Sequence, residues 1–326
     1  MEKIDISRLS EFLIGQAQDT AAMTGCTAVI APEGAVCGVD VRGGSPGTRD
    51  TDALNPICNR KQVHAVLLAG GSAFGLDAAG GLMRLLEEKR IGRDVGCTVV
   101  PNVCAASLFD LKCGDHRVRP DPAMGRAAGE NAFAALPYQS GNFGAGTGAT
   151  IGKSNGLKNA MKGGVGAAAF RQDDLMVGAV FAVNCVGDIV ENGEIIAGAR
   201  KDGGLDFADS ESLILDTFHA QTDFFSSNTV IGCIMTNASL TKAQATRLAG
   251  HGHNAIARAV RPAHAIDDGD TVFTLCSGKI TASLDAVGIL AARAAEAAIL
   301  DAVKSAETYG EYLSYKERCD RLGTNM

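Results

Sequence analysis

Aromatic residues are scarce in this sequence: among 326 residues there is no Trp and there are only four Tyr. Surfaces that stack nucleic-acid bases are built largely from such side chains, so a surface of that kind is not expected. The formal net charge is -7 and the pI is about 5.4, which leaves no excess of positive charge to bind phosphates. The composition therefore argues against a nucleic-acid partner.

Long apolar runs are also missing. No segment reaches the roughly 18 unbroken apolar residues that a membrane-spanning helix needs. Residues 1–5 do not begin a secretory signal peptide. We therefore expect no membrane partner and a cytoplasmic location.

The ten Cys residues are scattered singly, and no Cys-x-x-Cys pair occurs. This spacing indicates reduced thiols rather than a disulfide framework or a zinc site. His251 and His253 lie two residues apart in a predicted helix, so their side chains diverge and do not form a metal-binding pair. We interpret both as part of a solvated face. The sequence predicts no metal and no cofactor.

Glycine, at 40 residues, falls in clusters and not in a repeat, and no low-complexity linker divides the chain. Short strand-like runs alternate with Ala-rich helical stretches, a pattern typical of α/β folds in which helices cover strands. A chain of this length can form one large core or two domains, and we predict a single domain. The predicted strands include 27–30, 35–41, 176–184 and 229–236, and the predicted helices include 74–89, 124–135, 241–260 and 283–305.

Two glycine-rich segments approach known motifs without matching them. Segment 146–154 ends like a phosphate-binding loop, but Thr147 stands where that motif needs a Gly. Segment 70–75 is similar to a nucleophile elbow, but Phe74 stands where its second Gly should be. We therefore predict neither a nucleotide site nor a Ser nucleophile in these segments.

Asn228 and Thr229 stand at the start of an apolar run that is typical of a buried strand. A Thr hydroxyl is a poor nucleophile unless a base lies beside it, and cleavage of the chain before Thr229 would supply one, its own new α-amino group. Such an amine titrates at about pH 7.7 to 8.0, whereas a Lys side chain titrates near about 10.4. The dipeptide alone also fits an ordinary strand start, and both interpretations stay open at this point.

Several further segments resemble one family, the L-aminopeptidase/D-esterase family, which includes β-peptidyl aminopeptidases and nylon-oligomer hydrolases. The resemblance runs from about residue 24 to the last predicted helix and is closest to the nylon-oligomer hydrolase branch. It implies a four-layer α/β/β/α sandwich, similar also to the ornithine acetyltransferase fold. The segments that carry it are Gly25-Cys26-Thr27, 31–34, 40–49, 64–76, 144–149, 162–166 and 267–273.

The resemblance also implies a set of site residues. Thr229 would be the nucleophile, Asn184 would help to form the oxyanion hole, and Lys153 would lie among the active-site groups. Asp268 and Asp270 would orient the hydroxyl and the amine of Thr229, and alternation along an extended chain places both carboxylates on one face. A cation at Lys153 would favour the neutral, basic form of a nearby amine.

Arg119 departs from the family pattern, because relatives often have a Tyr in the segment 118–125. A guanidinium in a substrate pocket would suit a carboxylate, so we predict, as a hypothesis, that Arg119 binds an acidic group of the substrate.

The expected function is that of a self-cleaving N-terminal-threonine hydrolase, an aminopeptidase or amidase acting on short peptides, amino-acid amides or esters. Cleavage at Asn228 and Thr229 would divide the domain into chains 1–228 and 229–326. The resemblance further implies a homo-oligomer, a tetramer of the cleaved pairs. Two alternatives stay open: an acyltransferase of the ornithine acetyltransferase type, and a non-catalytic descendant of the fold.

Overall fold

The computed structural model describes residues 1–218 and 228–324. The strands are β1 (Glu2–Ile4), β2 (Leu13–Asp19), β3 (Thr24–Val41), β4 (Gly47–Arg49), β5 (Val63–Ala69), β6 (Arg93–Asp94), β7 (Val99–Val100), β8 (Val103–Ser107), β9 (Thr150–Ile151), β10 (Met161–Lys162), β11 (Gly164–Gln172), β12 (Leu175–Asn184), β13 (Asp188–Glu191), β14 (Glu194–Ala197), β15 (Thr229–Ala238), β16 (Val260–Arg261) and β17 (Thr271–Ile280). The α-helices are α1 (Ala78–Glu88), α2 (Pro122–Phe133), α3 (Ser210–Asp216), α4 (Lys242–Ala259), α5 (Leu284–Lys304) and α6 (Tyr315–Leu322).

The long strand β3 joins the two main sheets. Its second half pairs with β17, and that sheet continues through β15, β12 and β11 to β1. Its first half pairs with β2 and β5, and the second sheet continues through β8 to β4. The register shifts near Gly34, whose φ is 76°, but the strand continues. The two strands predicted at 27–30 and 35–41 are therefore one strand.

Three apolar clusters fill the spaces between four layers. The first, which includes Leu82, packs α1 and α2 against β5 and β8. The second, which includes Phe273, lies between the two sheets. The third, which includes Phe181 and Leu248, packs α4 and α5 against β12 and β15. This order of layers confirms the four-layer α/β/β/α sandwich expected from the sequence.

Helix boundaries follow local signals that the sequence contains. A capping box joins Thr241 and Gln244 at the start of α4, so two of the backbone N–H groups there have side-chain partners. The helix predicted at 74–89 begins later, because the tight turn at Gly71 leads first into a 3-10 helix, Ser72–Asp77. None of the helices in the described residues is long and apolar enough to cross a membrane.

Strand β15 occupies the centre of its sheet, and all ten of its residues are buried. It lies antiparallel to β12 and parallel to β17. Ile231 and Cys233 belong to the cluster between the sheets, and side chains alternate along a strand, so Thr229 faces the same inter-sheet space. Asn184 is the cross-strand partner of Thr229 and faces that space as well. The two residues therefore meet where the gap between the sheets opens.

Candidate active site

The peptide that joins Asn228 to Thr229 is buried, with residue exposures of 1% and 3%. The hydroxyl of Thr229 donates a hydrogen bond to the carbonyl oxygen of Asn228, the residue before it. The backbone N–H of Gly269 donates to the same oxygen at 2.9 Å. Two donors therefore polarise this carbonyl group, which is the arrangement that stabilises negative charge on the oxygen during attack on the carbon.

Gly269 can occupy this position only because it has no side chain. A Cβ there would lie 2.9 Å from the Thr229 hydroxyl oxygen and 2.8 Å from the backbone oxygen of Ser45. Contacts that short do not occur in real side chains, so any other residue would displace either the nucleophile or the loop. The small residue between the two aspartates thus lets the loop approach Thr229 closely.

Asp268 and Asp270 are each 1% exposed and bind different parts of the site. Asp270 accepts a hydrogen bond from the N–H of Val230 at 2.7 Å, which fixes it to the first peptide of β15. Asp268 accepts from the N–H of Ala265 at 2.6 Å, while its other oxygen is buried without a partner among the described residues. The structure therefore places both carboxylates at the start of β15, with one oxygen still available.

The pKa values of two side chains in the site are shifted towards neutral pH. Burial, reinforced by the negative charge of Asp270, raises the pKa of Asp268 to about 7. Burial lowers the pKa of Lys153 to about 7, and the charge of Asp268 opposes that shift in part. Burial thus disfavours the charged form of both side chains. Shifts of this kind are typical of active-site groups.

Lys153 and Asn184 are joined through the backbone: the Lys153 Nζ donates to the carbonyl oxygen of Asn184 at 2.8 Å. The side chain of Asn184 is also fixed, since its oxygen accepts from the N–H of Thr150 at 2.9 Å and its nitrogen donates to the carbonyl of Phe109 at 3.0 Å. The predicted residues Lys153, Asn184 and Thr229 therefore lie together, with the amide of Asn184 already oriented in the uncut chain.

The cavity beside Lys153, Thr150 and Phe109 is small, about 10 Å³. Such a space holds about one water molecule, and a peptide substrate would not fit in it. Within the described part of the chain, no group of three or more His, Cys, Asp or Glu side chains could hold a metal ion.

Lys162 belongs to segment 162–166 of the family resemblance, and the sequence predicted no role for it. In the structure its side chain is fully buried. Its Nζ donates to the carbonyl oxygens of Gly146, Ala149 and Gly163 at 3.2, 2.7 and 3.1 Å. Burial lowers its pKa to about 8. The residue therefore fixes the backbone just before Thr150, which in turn binds Asn184. The local sequence Met161-Lys162-Gly163-Gly164 contains no signal that marks this side chain as buried.

Two histidines lie beside the aspartates. The sequence predicted no role for His264 and placed His253 on a solvated face. His264 contacts Asp270 through its Nδ1 at 2.7 Å. His253 is 0% exposed, so its assignment to a solvated face was wrong. The residue faces inward because α4 packs on β3, where the His253 Nε2 contacts the carbonyl oxygen of Asp40 at 2.9 Å. His251, two residues earlier in α4, is half-buried, and its ring packs against Gly288 of α5.

Arg119 lines an open surface cleft. Its guanidinium covers the ring of Phe74 at 4.0 Å, in an open cleft of about 930 Å³ that Arg49 and Arg117 also line. Among the described residues, Arg119 forms no hydrogen bond or ion pair with the groups around Thr229. The structure thus brings together Thr229, Asn184, Lys153, Asp268 and Asp270, and in the described residues Arg119 contacts Phe74 instead of these groups.

The chain is similar to known proteins over most of its length. The model of peptidase family S58 matches residues 7–314. The chain is 40% identical over 294 residues to an uncharacterized aminopeptidase of Mycobacterium tuberculosis, covering 86% of this chain and 81% of that protein. It is 30% identical over 312 residues to a 6-aminohexanoate-oligomer endohydrolase of Paenarthrobacter ureafaciens, covering 89% and 83%.

Solved structures show the same fold. A β-aminopeptidase of a Burkholderia species superposes with a TM-score of 0.67 at 19% identity, covering 96% of this chain and 91% of that one. The L-aminopeptidase D-Ala-esterase/amidase of Ochrobactrum anthropi superposes with a TM-score of 0.67 at 17% identity, covering 96% and 92%. The resemblance stated from the sequence is confirmed, and the relatives support a peptidase or amidase activity. The chain belongs to peptidase family S58.

Proposed function

We propose that this protein is a self-cleaving N-terminal-threonine hydrolase that acts as an aminopeptidase or amidase. The observation that carries the proposal is the junction itself. The Thr229 hydroxyl lies against the carbonyl group of Asn228, and the Gly269 N–H already binds that carbonyl oxygen. Two hydrogen-bond donors on one carbonyl oxygen are not required to begin a strand. Their presence therefore argues against a non-catalytic descendant of the fold.

Maturation begins when the Thr229 oxygen bonds to the carbonyl carbon of Asn228. The hydroxyl proton passes to Asp268, whose second oxygen is free of partners in the described residues. The Gly269 N–H stabilises the oxyanion. The bond from that carbon to the Thr229 nitrogen then breaks, and the nitrogen takes up the proton. Water hydrolyses the resulting ester, which leaves Asn228 with a carboxylate and Thr229 with a free amine.

Turnover uses the same oxygen. The free α-amino group of Thr229 is the base, and Asp268 and Asp270 lie close enough to the strand start to orient it. The Gly269 N–H is released when the Asn228 carbonyl departs, so it becomes available to the carbonyl oxygen of a substrate. Asn184 is the second oxyanion donor, and water resolves the acyl-enzyme.

The substrate class follows from the relatives and not from the cavity. The names of those relatives are 6-aminohexanoate-oligomer endohydrolase, β-aminopeptidase and L-aminopeptidase D-Ala-esterase/amidase. We propose short peptides, amides or esters with a free amino end, acted on in the cytoplasm by a tetramer of cleaved pairs. The acidic preference assigned to Arg119 stays a hypothesis, which an Arg119→Tyr variant with an unchanged substrate profile would contradict.

Replacing Thr229 tests the nucleophile. Purified wild-type protein should split into chains 1–228 and 229–326 under denaturing conditions. Thr229→Ala should stay whole because it has no hydroxyl, whereas Thr229→Ser should still split because the hydroxyl remains. Denaturing gels and intact masses of the three proteins decide the matter. A Thr229→Ala chain that splits at the same bond would refute the role of this residue.

Replacing Asn184 tests the oxyanion hole. Asn184→Ala should lower kcat on an aminoacyl amide by about a hundredfold to a thousandfold, because one preorganised donor is lost, with a smaller change in KM. Cleaved protein should be used, so that turnover is measured apart from maturation. A kcat within a factor of about two of the wild-type value would remove Asn184 from the mechanism.

The rate of self-cleavage should depend on pH through Asp268. A base must be ionised, and the pKa of this carboxyl is raised to about 7, so cleavage of freshly translated chain should be slow in acid. Below about pH 7 the rate should fall about tenfold for each pH unit. The measurement is the fraction cleaved against time between about pH 5 and pH 8, with folding checked by circular dichroism. A flat profile would exclude Asp268 as the base.

A further inference from the structure

The loop that carries the two aspartates also carries a histidine that the mechanism above does not use. His264 contacts one oxygen of Asp270 through Nδ1 at 2.7 Å, and its own backbone N–H donates to the same oxygen at 3.3 Å. The other oxygen of Asp270 accepts the N–H of Val230. Asp270 therefore connects His264 to the peptide that directly follows Thr229.

The orientation of the His264 ring is fixed from its other side. The ring of His253, on α4, packs edge-on against it with centroids 4.9 Å apart at 66°. The Nε2 of His253 is tied to the backbone of Asp40 on β3. Nε2 of His264 has no partner within the described residues. In that part of the chain, the ring of His264 therefore forms its hydrogen bond with Asp270.

Two further features distinguish His264 from a residue that only fills space. Its side chain is 20% exposed to solvent, so it is not a core residue. Its φ is 59°, in the left-handed region that non-glycine residues seldom adopt. Conformations of this kind persist where the surroundings require them, and they cluster at functional sites.

Titratable and charged groups face His264 from its own loop and from α4. Asp268 and Asp270 face it from its own loop, and His253 faces it from α4. Asp40, which accepts a hydrogen bond from Arg42, lies behind His253 on β3. A hydrogen bond to a carboxylate contributes more than one between neutral groups, so the contact of Nδ1 with Asp270 is suited to hold that side chain in place.

We propose that His264 is a positioning residue for self-cleavage: its Nδ1–H holds the Asp270 carboxylate against the first peptide of β15 and thereby keeps Thr229 aligned with the Asn228 carbonyl. This inference rests on the proposed self-cleavage and adds a residue to the same site. His264 itself does not touch the reacting atoms. Its loss should therefore slow the reaction without abolishing it.

The test compares three variants. His264→Leu removes the donor, whereas His264→Asn keeps an amide nitrogen close to the position of Nδ1. His251→Asn is the matched control, a half-buried histidine of the adjacent helix that packs on Gly288. The rate of self-cleavage of freshly translated chain should fall about tenfold to a hundredfold in His264→Leu. It should stay within about threefold of the wild-type rate in His264→Asn and be unchanged in the control.

A second measurement does not depend on cleavage. In uncut Thr229→Ala protein, hydrogen exchange at the amide of Val230 should be faster when His264→Leu is added and should return towards its original rate with His264→Asn. If wild-type chain never splits, the proposed function fails, and the exchange measurement then decides only whether His264 holds Asp270 against the first peptide of β15. Unchanged exchange at Val230, a wild-type cleavage rate in His264→Leu, or a His264→Asn variant as slow as His264→Leu would each overturn the inference.

Discussion

The hydrogen bond from the Gly269 N–H to the carbonyl oxygen of Asn228 is the interaction on which the rest of the site depends. It joins the start of β15 to the loop that carries both aspartates. The junction can be this close because Gly269 has no side chain to meet Thr229. One backbone group thus sets the distance between nucleophile, carbonyl and carboxylates, and the proposed mechanism uses it in both maturation and turnover.

Burial determines the chemistry of this junction. Asp268 and Lys153 are both buried, and the loss of solvation raises the pKa of the carboxyl and lowers that of the amine, each to about 7. In water the two groups would form an ordinary ion pair or stay apart. In the proposed maturation step, the raised pKa makes Asp268 a suitable acceptor for the Thr229 hydroxyl proton before a free amine exists.

Much of this could be predicted from the sequence. The family resemblance singled out Thr229, Asn184 and the pair Asp268 and Asp270, and strand alternation predicted that the two carboxylates share one face. That Asn184 pairs with Thr229 across neighbouring strands is visible only in the structure. The layer order also followed from the resemblance. The sequence did not reveal that β3 continues past Gly34, since a residue with positive φ usually ends a strand.

Contacts between distant segments could not be predicted. Lys162 looks like a surface residue until its three carbonyl partners are assembled around it. The prediction that His253 is solvated was wrong, because the packing of α4 on β3 determines which face of the helix is buried. His264 has no pattern of its own, and its role depends on a loop conformation that brings it to Asp270. Each of these depends on tertiary structure, which periodicity does not encode.

The central claim is that the Thr229 oxygen carries out both reactions. The most direct test is to quench the protein during turnover of a slow aminoacyl ester, measure the intact masses of its chains and locate the acyl group by fragmentation. The account predicts a chain that begins at Thr229 and carries one acyl group on that residue. An acyl group found on another side chain, or turnover by a chain whose Asn228–Thr229 bond is intact, would contradict it.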